Sequence, residues 1–176
     1  GVKHPVGRIY RVTPTGAVEL LADNLAFPNG LEVDAASQFL YVVESQTKKV
    51  LRYVLPPVGQ KLGVSELFYD FGSDSGGGDG LCFDAEGNAW ITEFSNKSGR
   101  GRVVVVSPKG KLFGGVTPAA RLLTNIAFGG EANDEIFIST GGPSGIFHAQ
   151  AGVKGFRGYP VPELKLGRVL GLAPMN

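Results

Sequence analysis

Residues 29–55 read NGLEVDAASQFLYVVESQTKKVLRYVL, and this stretch decides the fold class. It opens with a polar residue and a short apolar segment, passes a turn, and continues into QFLYVVES and VLRYVL. In these segments apolar and polar residues alternate with a period of two, which is typical of β-strands buried on one face. The stretch therefore predicts three short strands joined by turns.

The same pattern recurs twice along the chain. DGLCFDAEGNAWITEFSNKSGRGRVVVVSP covers residues 79–108, and NIAFGGEANDEIFIST covers residues 125–140. The three units begin near residues 29, 79 and 125, so they start 50 and 46 residues apart. One four-stranded propeller blade needs about 40 to 50 residues. A β-sandwich is the alternative, but it does not predict one motif at one spacing. We therefore predict an all-β fold made of β-propeller blades.

The flanking segments look like parts of two further blades. Residues 7–25, GRIYRVTPTGAVELLADNL, have the pattern of the outer two strands of an earlier blade, and residues 145–162 are expected to complete the last one. The count is about three and a half four-stranded blades. We treat residues 1–176 as one partial propeller domain. Pro-Thr-Gly at 14–16 and Pro-Lys-Gly at 108–110 are expected to form the turns between strands, because proline fixes φ and glycine accepts a positive φ.

The composition excludes several classes of function. The 17 Lys and Arg nearly balance 16 Asp and Glu, for a net charge of +1, so no broad field attracts nucleic acid or an anionic membrane. No apolar stretch reaches the ~18 residues of a membrane span. The single cysteine, Cys82, excludes an internal disulfide and is expected to act as a small strand hydrophobe. We expect a cytoplasmic protein by default, although a chain that starts at Gly1 leaves its native N-terminus open.

Three polar residues occupy the same place in the three units. Asn29, Asp79 and Asn125 each stand at the entrance of the innermost strand, which lines the central channel of a propeller. Amide and carboxylate oxygens that converge there suit Ca²⁺, Mg²⁺, Mn²⁺ or Zn²⁺, and a carboxylate beside a metal can act as a general base on water. The alternative is that Asn-Gly and Asp-Gly are turn dipeptides that only shape the entry to a strand.

Residues 73–78, SDSGGG, predict a flexible loop before Asp79.

Several motifs together resemble a known family. FPNGLEVD with LYVVES and VLRY, then GDGLCFDAEGNAWIT, then TNIAFGG and IFIST, resemble the senescence marker protein/gluconolactonase family, of which regucalcin is a member. The first of these stretches also resembles the related strictosidine synthase-like propellers. The resemblance covers roughly residues 7 to 145, and the order of the three motifs is more specific than any one of them.

The resemblance implies a six-bladed propeller with one divalent metal ion, Ca²⁺ first and Zn²⁺, Mg²⁺ or Mn²⁺ next, that hydrolyses a sugar lactone or a related ester. It implies that Asn29 and Asp79 are metal ligands, that Asp79 is the catalytic base, and that Asn125 lines the substrate site. The family's metal-binding Glu and a further Asn precede the part of the family that this chain matches. The chain is therefore expected to be a partial member that lacks the N-terminal blades.

A partial propeller is expected to expose the apolar faces and strand edges of its terminal blades. Two copies of the chain are therefore predicted to close face to face or to form a ring, because an exposed apolar patch is usually an interface. The alternative is that the chain is a fragment of a longer polypeptide whose other blades cover these faces. The second class of function that we consider is a non-catalytic binding module that keeps the blades and has lost activity, since a fold alone does not define a function.

Overall fold

The computed structural model describes residues 5–142 and 145–158, which form thirteen β-strands and no helix. Within these ranges nothing forms a helix that could cross a membrane. The all-β prediction is confirmed. The strands are β1 (Gly7–Val12), β2 (Val18–Leu25), β3 (Pro28–Val33), β4 (Phe39–Glu44), β5 (Lys49–Val54), β6 (Glu66–Asp70), β7 (Gly78–Phe83), β8 (Ala89–Glu93), β9 (Arg102–Val106), β10 (Leu112–Val116), β11 (Leu123–Gly129), β12 (Glu135–Thr140) and β13 (Ile146–Gln150).

The strands form four antiparallel sheets in which neighbours in sequence are neighbours in space. The order is β1-β2, then β3-β4-β5-β6, then β7-β8-β9-β10, then β11-β12-β13. Two complete four-stranded blades are thus flanked by a two-stranded and a three-stranded sheet, which agrees with the predicted blade count. β9 is buried at four of its five residues, as its continuous run of valines indicates.

Each hydrophobic core lies between two consecutive sheets. The first core lies between the β1-β2 sheet and strands β4 and β5. The second lies between strands β4, β5 and β6 on one side and β7, β8 and β9 on the other. The third lies between β8 and β9 and strands β11 and β12. Because every sheet covers the face of the next one, the innermost strands β3, β7 and β11 run side by side along the channel. This stacking brings residues that are about fifty positions apart in sequence to one place.

Tight turns join the strands where the sequence predicts them. Gly16, Gly87 and Gly110 have φ of 85°, 82° and 75°, in the left-handed region that favours glycine. Each donates its amide to a carbonyl three residues earlier, at 2.8–3.1 Å. The Pro-Thr-Gly and Pro-Lys-Gly signals are therefore confirmed as turns.

Residues 145–162, expected to complete the last blade, do so only in part: β13 adds a third strand, residues 151–158 add no fourth one, and residues 159–162 lie outside the described residues. Lys154 O accepts the amide of Ala85 at 2.8 Å, and Phe156 donates its amide to Phe83 O at 2.9 Å. Residues 154–156 thus run back to the end of β7 in the preceding sheet. They satisfy backbone groups there and place the Phe156 ring against the inner strands.

One edge of the structure exposes apolar side chains. β1 pairs with β2, and no described strand pairs with the other edge of β1. On this sheet Tyr10, Val12 and Val18 are 51%, 50% and 66% exposed. The predicted association of two copies through such a face stays a prediction, and light scattering over a range of concentrations would check it.

Candidate functional site

Each of the three inner strands has a shift in its pairing register near its first residues. The pairing register shifts between Pro28 and Leu31 in β3, between Gly78 and Leu81 in β7, and at the start of β11. A β-bulge re-aims the side chains of the strand that contains it, and bulges are common beside functional sites. The bulges of β3 and β7 contain Asn29 and Asp79, which therefore leave the regular alternation.

Two glycines allow the inner strands to approach each other closely. A Cβ atom on Gly30 would lie 2.3 Å from the carbonyl oxygen of Asp79, and a Cβ atom on Gly80 would lie 2.0 Å from Oδ1 of Asn125. Any side chain at these positions would push the strands apart. The glycine after Asn29 thus faces the backbone of Asp79, and the glycine after Asp79 faces Asn125.

Asn29 and Asp79 are in contact. The half-buried Asp79 carboxylate accepts a hydrogen bond from the Asn29 side chain; burial raises the pKa of Asp79, and this bond lowers it in part. Asn125 is exposed beside them, and its Oδ1 accepts the amide of Ile126 at 2.9 Å. The structure therefore brings the three predicted residues together, with one difference: the side-chain oxygen of Asn125 already accepts a hydrogen bond from the amide of the next residue, Ile126. The catalytic, metal-binding and substrate-lining roles stay predictions.

Sequence reasoning missed two hydroxyl groups that brace this site. Ser45, directly after β4, donates Oγ–H to Gly78 O at 2.7 Å. Thr92 in β8, which is fully buried, accepts the amide of Gly80 at 2.9 Å and donates to Gly80 O at 3.1 Å. A serine or threonine at the end of a second strand carries no signal by itself, because its partner lies on another strand about thirty or twelve positions away.

The glycine run before Asp79 is packed in the described structure, where we expected a flexible loop. Ser75, Gly77 and Gly78 are buried. Gly77 has φ of 96°, and a Cβ atom there would lie 2.3 Å from the carbonyl oxygen of Ser45. The glycines are needed because the loop passes directly over its neighbours, and the loop holds Asp79 firmly at the start of β7.

A cleft of about 370 Å³ runs along the inner strands next to this mouth. Glu32 lies in its wall, and burial raises the pKa of this carboxyl. Cys82 lies nearby, and burial raises the pKa of its thiol to about 12, so the thiolate that reacts with electrophiles is scarce at neutral pH. The wall is formed by Gly30, Leu31, Glu32, Leu81, Cys82, Phe83, Asn125, Ile126, Ala127, Phe128, Phe156 and Gly158.

The donor set at the mouth fits part of a site for a hard cation. Asp79 supplies a carboxylate and Asn29 an amide oxygen, and Ca²⁺ and Mg²⁺ prefer oxygen ligands. Nothing in the described ranges donates a hydrogen bond to Asn29 Oδ1, which leaves it able to bind an ion. No group of three or more His, Cys, Asp or Glu residues that could hold a metal ion occurs in residues 5–142 and 145–158. Two oxygen ligands are too few for tight binding without water or further groups.

Comparison with known proteins identifies the family. The model described as "SMP-30/Gluconolactonase/LRE-like region" matches residues 1–142. The chain belongs to this family. Relatives of this gluconolactonase-family chain include the 6-deoxy-6-sulfogluconolactonase of Pseudomonas putida, which is 30% identical over 135 residues, covering 76% of this chain and 45% of the relative.

Solved structures show the same fold. A gluconolactonase of Xanthomonas campestris superimposes with a TM-score of 0.67 at 26% identity, over 82% of this chain and 44% of that one. A calcium-binding protein described as regucalcin, from Agrobacterium tumefaciens, superimposes with a TM-score of 0.72 at 23% identity, over 88% of this chain and 55% of that one. The gluconolactonase-family chain spans about half the length of the curated relatives that it matches.

Proposed function

We propose that this chain carries the Asn29–Asp79 part of a divalent-metal site, with Ca²⁺ as the first candidate ion, and acts in the hydrolysis of a sugar lactone or a related ester. The close approach of the strands that carry Asn29 and Asp79 carries the proposal: Gly30 lies against the carbonyl oxygen of Asp79, and the Ser45 hydroxyl is bonded to Asn29 and to Gly78. Relatives named as lactonases and a neighbour described as calcium-binding support the substrate class and the ion. Zn²⁺, Mg²⁺ and Mn²⁺ are the competing ions.

The residues of the chain have distinct parts in this reaction. A bound divalent ion supplies Lewis-acid polarisation of the lactone carbonyl. Asp79 accepts a proton from the attacking water, and the burial that raises its pKa makes the carboxylate a stronger base. The water oxygen forms a bond to the carbonyl carbon, the ring C–O bond breaks, and the ring oxygen takes the proton back from Asp79, so that it leaves as the hydroxyl of a hydroxy acid. The adjoining cleft offers room for a sugar-sized ring.

Hydrolysis of glucono-lactone, followed by acid release with Ca²⁺ present, tests the proposed function. We expect Asp79→Asn to lose at least about tenfold in rate, because an amide does not accept the proton of water. Asp23→Asn is the matched control, since Asp23 is exposed and bonds only to its neighbour Asn24 among the described residues. An unchanged rate in Asp79→Asn contradicts the role of Asp79. A wild-type chain that neither hydrolyses lactone nor binds any of the four ions contradicts the proposal and favours a non-catalytic binding module.

Thermal unfolding separates the two effects of the Asp79 charge. The folded-state pKa of Asp79 is raised, so the stability that protonation gives is present below the unfolded pKa and is lost as the pH rises through the folded pKa. At pH 7 without metal we therefore expect Asp79→Asn to have a higher Tm than wild type. Ca²⁺ at a hundredfold excess over Kd is expected to add about 2.7 kcal/mol to the free energy of unfolding of wild type only, and so to raise only the wild-type Tm. An Asp79→Asn chain that is less stable than wild type without metal would contradict this assignment.

A further inference from the structure

Ser45 touches both halves of the candidate site. It follows β4 in the sheet that contains Asn29, and its Oγ donates to the carbonyl oxygen of Gly78, the residue before Asp79, at 2.7 Å. The same Oγ accepts a hydrogen bond from Nδ2 of Asn29 at 3.4 Å. One hydroxyl group thus links the strand that carries Asn29 to the strand that carries Asp79.

The hydroxyl of Ser45 fixes which end of the Asn29 amide faces it. A serine hydroxyl has one proton, and a backbone carbonyl has none to give. Because the Ser45 hydroxyl donates its only proton to Gly78 O, its oxygen can only accept a hydrogen bond from Asn29. The amide must therefore turn Nδ2 toward Ser45. The Asp79 carboxylate can only accept, so the hydrogen bond from Asn29 that lowers its pKa requires the same end of the amide as donor.

This orientation decides what Asn29 can do for a cation. An amide binds a cation through Oδ1 and repels it through Nδ2, so a flipped side chain would place a donor against the ion. With Nδ2 held at Ser45, Oδ1 is the group that stays available. In the described part of the chain it accepts no hydrogen bond.

We propose that Ser45 is a positioning residue that holds the Asn29 amide with Oδ1 toward the ion and fixes the distance between Asn29 and Asp79. This inference rests on the proposed metal site, and it adds a residue that does not itself bind the ion. The backbone carbonyl of Ser45 also lies against Gly77, where only a glycine fits, so Ser45 is packed against the loop that leads to Asp79.

Calcium titration calorimetry of Ser45→Ala and Ser45→Thr tests the proposal. We expect Ser45→Ala to weaken Ca²⁺ binding about tenfold, which corresponds to one hydrogen bond, and Ser45→Thr to restore the affinity to within about threefold because it keeps the hydroxyl. Ser73→Ala, which removes an exposed hydroxyl, is the control and should bind as wild type. Wild-type affinity in Ser45→Ala, or a threonine variant as weak as alanine, would overturn the positioning role.

A second measurement needs no ion and no variant. In the NMR spectrum of the metal-free wild-type chain, we expect nuclear Overhauser effects between the Nδ2 protons of Asn29 and the Cβ protons of Ser45. Their absence means that the amide is flipped and overturns the inference. If they are present but wild type binds no divalent ion, the proposed function fails while the orientation of Asn29 stands, so the two failures are distinguishable.

Discussion

Replacing Asp84 by alanine is expected to lower the free energy of unfolding by about 3 kcal/mol or more. The Asp84 carboxylate is 2% exposed and accepts four hydrogen bonds, from the amides of Glu86 and Asn88, from Asn88 Nδ2, and from the indole Nε1 of Trp90, at 2.8–3.0 Å. Its loss leaves buried donors without a partner, and each such donor costs about 1–3 kcal/mol. Urea denaturation followed by the fluorescence of Trp90, the single tryptophan, measures the effect.

An aspartate in the preceding blade provides a second substitution whose stability loss can be compared with that of Asp84→Ala. Asp34 occupies the same hairpin position and accepts the amides of Gln38 and Phe39 at 2.7 and 2.9 Å, but it is half-buried and lies in a more exposed turn. We expect Asp34→Ala to cost clearly less than Asp84→Ala, and Asp23→Ala to stay within about 0.5 kcal/mol of wild type. A loss below about 1 kcal/mol in Asp84→Ala would show that this network does not stabilise the blade.

The second large effect is expected for Gly30→Ala. The added methyl group would meet three backbone atoms of β7, at 2.3 Å from Asp79 O, 2.9 Å from Gly80 Cα and 3.0 Å from Leu81 N. Backbone atoms of a packed strand cannot rotate away as a side chain can, so the strands must separate. Overpacking of this kind costs about 1–3 kcal/mol and occasionally more. Because the strands that separate carry Asn29 and Asp79, we also expect Ca²⁺ binding to be lost.

The matched control for Gly30→Ala is Gly114→Ala. Gly114 also lies in a strand, β10, but a Cβ atom there would have no neighbour within 4 Å. We expect Gly114→Ala to keep wild-type stability and calcium affinity, as measured by urea denaturation and calorimetry. If Gly30→Ala were equally harmless, β3 and β7 would not lie as close in solution as the structure places them.

Much of the fold could be predicted because the blade repeats. The Asn-Gly and Asp-Gly starts, the alternating strands and the Gly turns recur at nearly constant spacing, and repetition fixes both strand order and the position of the channel. The return of Phe156 to β7 could not be predicted, since it rests on a contact with a sheet that lies some seventy residues earlier in the chain.

The candidate site could also be predicted only in part. The positions of Asn29, Asp79 and Asn125 follow from the repeat, and the structure places them side by side. The bulges, the role of Gly30 as a spacer and the contacts of Ser45 depend on how two neighbouring blades meet. The sequence of one repeat unit does not contain the information about how it packs against the next. The engaged oxygen of Asn125 is likewise a local backbone contact that the repeat does not predict.

A crystal of this chain soaked in Mn²⁺ as an anomalous stand-in for Ca²⁺, with a second crystal soaked in Ca²⁺, tests most directly whether Asn29 and Asp79 share an ion. We expect one peak at the channel mouth, with Asn29 Oδ1 and an Asp79 carboxylate oxygen at about 2.3–2.6 Å from Ca²⁺. Saturated crystals with no peak there, or with Nδ2 of Asn29 turned toward the site, would contradict a shared ion between the two strands.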